Sequence, residues 1–167
     1  LGRSAAQWHL IGHLQRNKAK AAVRLFDLIQ TVDSLRLGEA LDAASRAVGR
    51  EMPVLVEVNG GREPQKAGVW PEDALDLVRA LDRLGALRVV GLMTMGPLAA
   101  DPEAESGALR LAFRETRALF ETLRRAPFER TRMEILSMGM SDSYSAAIAE
   151  GATMVRIGTS LFGPRGA

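Results

Sequence analysis

The sequence contains no cysteine and only two histidines, His9 and His13. Without cysteine the protein forms no disulfide and performs no thiolate chemistry, which is typical of proteins from a reducing cytoplasm. Two histidines alone do not supply the ligand set of a zinc site. We therefore predict a cytoplasmic protein with no bound metal.

The sequence also lacks long apolar runs and any large excess of charge. No apolar stretch approaches the ~20 residues that a membrane-spanning helix needs. All but three of the 22 basic residues are arginine, yet the net charge is only +2 and no basic stripe is present. We predict neither a membrane nor a nucleic-acid partner. With 167 residues and 47% hydrophobic content, we predict a single domain over residues 1–167.

What the chain does have is a regular alternation of short apolar strands with amphipathic helices. Each predicted strand except the last is followed by a helix. The predicted strands are Trp8–Ile11, Leu28–Val32, Val54–Asn59, Leu87–Met95, Met133–Met138 and Met154–Ile157. The predicted helices are Gln15–Phe26, Leu35–Val48, one beginning at Pro71, Ala108–Arg125 and Asp142–Ala149, the last with Ser141 or Asp142 as its N-cap. The predicted loops include Gly60–Gly68 and a longer one, Pro97–Gly107.

This alternation predicts an α/β fold with a parallel sheet and right-handed crossovers. An open doubly wound sheet and a closed eight-stranded barrel both fit it. Strands with continuous apolar runs, and phosphate-type turns after the last two strands, favour the barrel. A complete barrel of this kind takes ~250 residues, so the chain is shorter by roughly two strand–helix units.

The last two strands end in turns that are rich in glycine, serine and threonine. Ser137, Gly139 and Ser141 lie at the end of the first, and Gly158 and Thr159 follow the second. Such turns offer backbone N–H groups and hydroxyls to an anion, and parallel barrels hold phosphate at this position. We therefore predict a phosphate site between these two turns.

Four other polar residues are candidates for the same end of the sheet. Arg156 lies inside an apolar strand and needs a partner, which is either a neighbouring carboxylate or a bound cofactor. Asn59 ends its strand and either contacts a ligand or starts a turn. His13 and Lys66 lie in loops, where structural or solvated roles are the commoner ones.

Four segments carry a family resemblance in the order expected. They are WHLIGHLQRNK at Trp8–Lys18, NGGREPQKAG at Asn59–Gly68, GLMTM at Gly91–Met95, and SMGMSDSYSAAIAEGATMVRIGTSLFGPR at 137–165. Together they resemble the pyridoxal phosphate homeostasis proteins over almost the whole chain. The resemblance implies a (β/α)8 TIM barrel of the alanine-racemase N-terminal-domain type. Trp8–Gly12 resembles the third strand, so the first two βα units are expected to be missing from this chain.

The resemblance also implies a cofactor, pyridoxal 5'-phosphate (PLP). In the family a lysine on the first strand forms a Schiff base with PLP, and none of Lys18, Lys20 and Lys66 corresponds to it. The Arg-Ile-Gly-Thr order at Arg156 resembles the alanine racemases, where the equivalent arginine faces the pyridine nitrogen; a contact to the phosphate is the alternative. The residues expected to bind the cofactor are Asn59, Ser137, Gly139, Ser141, Arg156, Gly158 and Thr159.

The function implied is PLP binding in intracellular PLP homeostasis, with no turnover reaction and no catalytic residue. A PLP-dependent racemase or decarboxylase on the same barrel is the alternative, and a phosphosugar enzyme using the same turns is a third. PLP-dependent apoenzymes are expected partners, and a monomer or weak dimer is the expected state.

Two edges follow from the expected loss of two strands. The strand at Trp8–Gly12 and the strand at Met154–Gly158 would both lack one neighbour and expose apolar side chains. Parallel barrels rarely leave such edges open. We therefore expect preceding residues, or a second chain, to cover the gap.

Overall fold

A computed structural model describes residues 5–97 and 102–163, and over these residues the chain alternates six strands with six α-helices. The strands are β1 (His9–Leu10), β2 (Leu28–Val32), β3 (Met52–Val58), β4 (Leu87–Thr94), β5 (Ile135–Met140) and β6 (Met154–Arg156). The helices are α1 (Ala19–Leu25), α2 (Leu35–Ala47), α3 (Ala74–Asp82), α4 (Pro102–Arg125), α5 (Tyr144–Ala149) and α6 (Thr159–Phe162). Short 3-10 turns at Arg16–Lys18 and Pro71–Asp73 lead into α1 and α3.

All six strands form one sheet in the order β1-β2-β3-β4-β5-β6, and every neighbouring pair is parallel. The predicted α/β alternation and parallel sheet are therefore confirmed. Within the described residues β1 and β6 are the edges of the sheet, as expected. Because all strands run the same way, their carboxyl ends lie together along one rim of the sheet.

The sheet separates two apolar layers. On its outer face Val54, Val56 and Val58 of β3 belong to one cluster with helix residues such as Leu41 of α2 and Phe113 of α4. The inner face carries a smaller cluster whose members all come from strands or strand ends, with no helix residue among them. Its buried members are Leu28, Leu55, Val90 and Met93, and Met95, Ile135 and Met154 border it. The strands are apolar on both sides because both sides are buried.

The sheet is strongly curled, with its inner face concave. Gln30 of β2 donates through Nε2 to Sδ of Met154 on β6, 3.3 Å away, and its Oε1 accepts from Ser137 of β5. In a flat sheet with strands ~4.8 Å apart, β2 and β6 would be separated by about 19 Å. Contacts between them across the inner face require the curvature of a barrel wall.

Several predicted loops and helices begin or end at other residues than predicted. The predicted loop Pro97–Gly107 is shorter, since α4 begins at Pro102; residues 98–101 lie outside the described residues. The last strand is followed by a helix after all, because the Gly158 carbonyl accepts from the N–H groups of Leu161 and Phe162 and so starts α6. Residues before Ala19 form a 3-10 turn rather than the start of α1.

Gly91 lies at a close approach of β4 to β5. A Cβ at this position would lie 1.8 Å from the Ile135 carbonyl oxygen on β5. The register between β3 and β4 also shifts here, from the pair Val54–Val89 to the pair Leu55–Gly91. Such an irregularity bends a strand and increases its twist. Only glycine permits this packing of β4 on β5.

We predict that Gly91→Ala lowers the free energy of unfolding by roughly 2 kcal/mol or more, because the added methyl group forces β4 and β5 apart. Gly107→Ala is the matched control: Gly107 lies in α4 and a Cβ there meets nothing within 4 Å. It should raise the free energy by about 0.5–1 kcal/mol through helix propensity. Urea denaturation of both variants measures the difference, and equal effects would contradict the close approach at Gly91.

Candidate functional site

Arg156 crosses the inner face of the sheet from β6 toward β4. Its Nη1 donates to Oγ of Ser137 on β5 at 2.8 Å, and its Nη2 donates to the Thr94 carbonyl oxygen at the end of β4 at 2.9 Å. Its Nε is buried and has no hydrogen-bond partner among the described residues. Burial lowers the pKa of Arg156, and nearby Glu57 opposes that effect. The guanidinium is therefore fixed by two neutral partners, while Nε is the nitrogen that has no partner.

The hydrogen bonds continue from Ser137 to the far side of the sheet. Because the Ser137 hydroxyl accepts from Arg156, its proton goes to Oε1 of Gln30, 2.7 Å away. The Gln30 amide nitrogen, which can only donate, lies 3.1 Å from Nδ1 of His9. That contact requires an unprotonated Nδ1, and burial lowers the pKa of His9 more than Asp27 raises it. A neutral chain of donors and acceptors thus runs from β1 to β6.

These polar residues form a layer directly above the inner apolar cluster. Because alternate residues of a strand point to the same face, a polar residue two positions after an inner apolar one lies on the same side and nearer the carboxyl rim. The pairs are Leu28 and Gln30, Leu55 and Glu57, Ile135 and Ser137, and Met154 and Arg156. The polar layer therefore forms the floor of the concave rim.

Glu57 is the charged member of this layer on β3. Only 6% of the residue is exposed, and its carboxylate makes no hydrogen bond to any described residue. Burial raises the pKa of Glu57 from 4.5 to about 7; Asp33 adds to the rise and Arg156 opposes it. The sequence interpretation missed Glu57, Gln30 and Thr94. A charged or amide side chain inside an apolar strand was the available signal.

The turns after β5 and β6 meet at one serine. Oγ of Ser141 accepts from the backbone N–H of Gly158 at 3.1 Å and from that of Ser160 at 3.3 Å. The prediction that the two turns face each other on adjacent parallel strands is confirmed. Ser141 is not the N-cap of α5, however, and neither is Asp142: the helix starts at Tyr144, with Ser143 in that position.

Gly139 allows β5 to turn sharply into α5. Its φ is +90°, and a Cβ there would lie 2.5 Å from the Cβ of Ala147, so both conformation and space favour glycine. Thr159, the first residue of α6, is exposed beside the same turn. These two residues, with Ser137, Ser141, Arg156 and Gly158, are thus brought together around the ends of β5 and β6. Their contact with a cofactor remains a prediction.

Asn59 is used differently. Its Nδ2 donates to the Glu63 carbonyl oxygen at 2.8 Å, and its Oδ1 accepts from the Glu63 N–H at 3.1 Å. Both ends of the amide therefore hold the loop after β3, which favours the turn role over the ligand role. In the same loop Lys66 donates to the Gly96 carbonyl oxygen at 3.0 Å and pairs with Glu63.

The remaining candidates lie on the surface. His13, Lys18 and Lys20 are exposed. Among the described residues, no group of three or more histidine, aspartate or glutamate side chains is arranged to hold a metal ion. None of the described helices combines the length and the apolarity that a bilayer-spanning segment needs.

A curled parallel α/β sheet with a polar, arginine-containing rim at its carboxyl ends defines the class of this protein. Residues 2–166 match the sequence model of the alanine racemase N-terminal domain. The pyridoxal phosphate homeostasis protein of Aquifex aeolicus is 40% identical, over 95% of this chain and 67% of the relative. The protein of the same name from Escherichia coli K12 is 36% identical, over 99% of this chain and 68% of the relative. The chain belongs to this family, which confirms the resemblance seen in its sequence.

Solved structures agree with this assignment. PipY of Synechococcus elongatus, determined with PLP bound, is 38% identical and superimposes with a TM-score of 0.82 over 94% of this chain and 70% of that one. An alanine racemase of Clostridium difficile shares the fold, with a TM-score of 0.75 at 16% identity over 96% of this chain and 40% of that one. The chain spans about two thirds of the length of the curated relatives it matches.

We predict that Glu57 makes stability depend on pH in the protein without ligand. Its pKa of about 7 lies above the ordinary value of 4.5, so the folded state keeps the proton that the unfolded state loses. The free energy of unfolding should therefore fall as pH rises from about 4.5 through 7, by up to roughly 3 kcal/mol. Glu57→Gln should remove this loss.

Urea denaturation at pH 5 and pH 8 tests this expectation in the full-length protein. Relative to wild type, Glu57→Gln should be more stable at pH 8 than at pH 5. Glu39→Gln, which alters an exposed carboxylate on α2, is the matched control and should follow wild type. Parallel behaviour of wild type and Glu57→Gln would mean that Glu57 titrates normally.

Proposed function

We propose that this protein binds pyridoxal 5'-phosphate at the carboxyl rim of its sheet and acts in intracellular PLP homeostasis without a turnover reaction of its own. The observation that carries the proposal is the rim itself: the fixed guanidinium of Arg156 beside the joined turns of β5 and β6. The names of the relatives and the PLP-bound structure of PipY support the same ligand.

The residues present fit the phosphate of this cofactor. The N–H groups of Gly158 and Ser160 converge on a single oxygen, that of Ser141, which is the arrangement a phosphate oxygen requires. The exposed hydroxyl of Thr159 lies beside them. Gly139 lets β5 turn sharply into α5 beside these donors, where a side chain would collide with Ala147. The binding of a dianion is favoured by these donors.

The residues also fit the ring of the cofactor. Bound PLP supplies an aldehyde and an electron-withdrawing pyridine ring. Arg156 is partly buried on the inner face, and its Nε has no hydrogen-bond partner among the described residues. A permanent cation beside the pyridine nitrogen keeps that nitrogen unprotonated, which weakens the ring as an electron sink. This electrostatic setting suits a binding protein better than an enzyme that stabilises a carbanion through the ring.

We propose further that the sheet is part of a closed eight-stranded barrel, of which this chain forms strands three to eight. Two additional βα units would pair with the free edges of β1 and β6. The supporting observations are the exposed side chains Trp8 and Ile11 beside β1 and Leu161 and Phe162 after β6. The chain's coverage of its relatives, about two thirds of their length, is in line with six units of eight. The protein would be a cytoplasmic monomer or weak dimer that meets PLP-dependent apoenzymes.

A PLP-dependent racemase or decarboxylase remains the second candidate, and one observation favours it. Glu57 has a pKa of about 7 inside the polar layer, which is what a general base at neutral pH needs. Incubation of the PLP-loaded full-length protein with single D- and L-amino acids, followed by chiral chromatography, separates the two functions. Homeostasis predicts unchanged amino acids, whereas either enzyme would convert them.

The test of PLP binding uses the purified full-length protein, stripped of small molecules and mixed with PLP. We expect an absorbance band beyond the protein band that stays with the protein through gel filtration. Pyridoxal, which lacks the phosphate, is the control ligand and should be retained much less. A protein that stays colourless with PLP, or that retains both compounds equally, would refute the proposed site.

We predict that Arg156→Ala weakens PLP retention, because it removes a charge-assisted contact worth roughly 1.5–3 kcal/mol, which corresponds to about tenfold or more in affinity. Lys20→Ala, on the exposed side of α1, is the matched control and should bind like wild type. Equilibrium dialysis of the full-length variants against PLP measures both. Equal occupancy in the two would remove Arg156 from the site.

A further inference from the structure

Glu57 is a buried carboxylate that the proposed function leaves without a role. Only 6% of Glu57 is exposed, and no described residue donates a hydrogen bond to its carboxylate. A largely buried carboxylate is costly to ionise, so its charge depends on the groups around it. It points to the inner face of the sheet, two residues beyond Leu55 in the inner cluster. Glu57 therefore faces the same interior as Arg156.

The strand register places Glu57 next to the Arg156 guanidinium. Glu57 pairs in register with Met93 of β4, and the following residue pairs with Thr94. Nη2 of Arg156 donates to the carbonyl oxygen of that same Thr94. Neighbouring strands lie ~4.8 Å apart, so the guanidinium reaches the level of Glu57 on the adjacent strand. A buried acid and a partly buried cation thus share the inner face, and their charges interact.

We propose that Glu57 is a further residue of the PLP site and controls the charge that the site presents to its ligand. This inference rests on the proposed function. With a neutral carboxyl group, the floor of the rim carries the full positive charge of Arg156. With an ionised carboxylate the two charges largely cancel. The binding of anionic PLP therefore weakens as Glu57 ionises.

The groups that face Glu57 define its titration. Asp33, directly after β2, raises the pKa of Glu57, and Arg156 on β6 lowers it. The neighbouring β4 presents Met93, which does not titrate. His9 on β1 belongs to the same layer, and its lowered pKa keeps it neutral above pH 7. Above pH 7, Glu57 is therefore the group of this layer that changes charge.

The experiment measures PLP affinity of the full-length wild type and of Glu57→Gln by equilibrium dialysis at pH 6 and pH 8.5. The ratio of the two dissociation constants, wild type over variant, cancels the titration of PLP itself. We expect a ratio near one at pH 6, where Glu57 is mostly neutral, and roughly ten at pH 8.5. Glu39→Gln, an exposed change on α2, is the control and should match wild type at both pH values.

The outcomes are distinct. A ratio that is the same at both pH values overturns the role of Glu57 while leaving PLP binding intact. Failure of wild type and variant to bind PLP at either pH overturns the proposed function itself. A ratio that rises with pH supports the inference.

A second variant tests the same idea with Glu57 in place. Asp33→Asn removes the carboxylate that raises the pKa of Glu57. The affinity of Asp33→Asn for PLP should therefore begin to fall at a lower pH than the affinity of the wild type does. An unchanged midpoint would overturn the inference even if Glu57→Gln proved unable to fold.

Discussion

The constraint on which the inner face depends is the partial burial of a guanidinium, that of Arg156. A cation removed from water is costly unless every face of it meets a partner. Here the neutral Ser137 hydroxyl and the Thr94 carbonyl oxygen hold two of the nitrogens of Arg156. Both partners come from other strands, β5 and β4. Arg156 can therefore reach them only because the sheet is curved. A flatter sheet would leave Arg156 without these partners.

That curvature has its own local cause. Gly91 lets β4 approach β5 more closely than any residue with a Cβ permits, and the register shifts at the same point. Below the rim the curled strands enclose an apolar cluster that includes Leu55 and Met93. The polar groups are confined to the next layer toward the carboxyl ends, where the turns of β5 and β6 meet. The fold thus gathers its charge and its hydrogen-bond donors at one rim.

The sequence predicted the elements better than the connections between them. Continuous apolar strands and helix periodicity located every strand of the described sheet, and the glycine- and serine-rich turns located the rim. The network was not predicted, because Gln30 and Ser137 stand 107 residues apart and only curvature brings them together. Asn59 illustrates the same point: its type suits a ligand contact, and the structure adds that both ends of its amide bind the backbone of the following loop. Single-residue chemistry does not reveal which partner is nearest.

One side of the polar layer consists of neutral hydrogen-bonding groups, whereas the other side carries a titrating carboxylate. On the side of β1, β2 and β5, each hydrogen bond fixes the direction of the next. Because Ser137 accepts from Arg156, its hydroxyl proton points to Oε1 of Gln30. The Gln30 amide nitrogen then donates to Nδ1 of His9, which must be unprotonated. That side holds the orientation of the guanidinium with neutral groups and does not respond to pH in the neutral range. On the side of β3 the guanidinium interacts electrostatically with Glu57, whose charge changes near pH 7. The orientation of Arg156 is thus held constant while the net charge around it varies, so the rim combines a fixed geometry with an electrostatic potential that depends on pH.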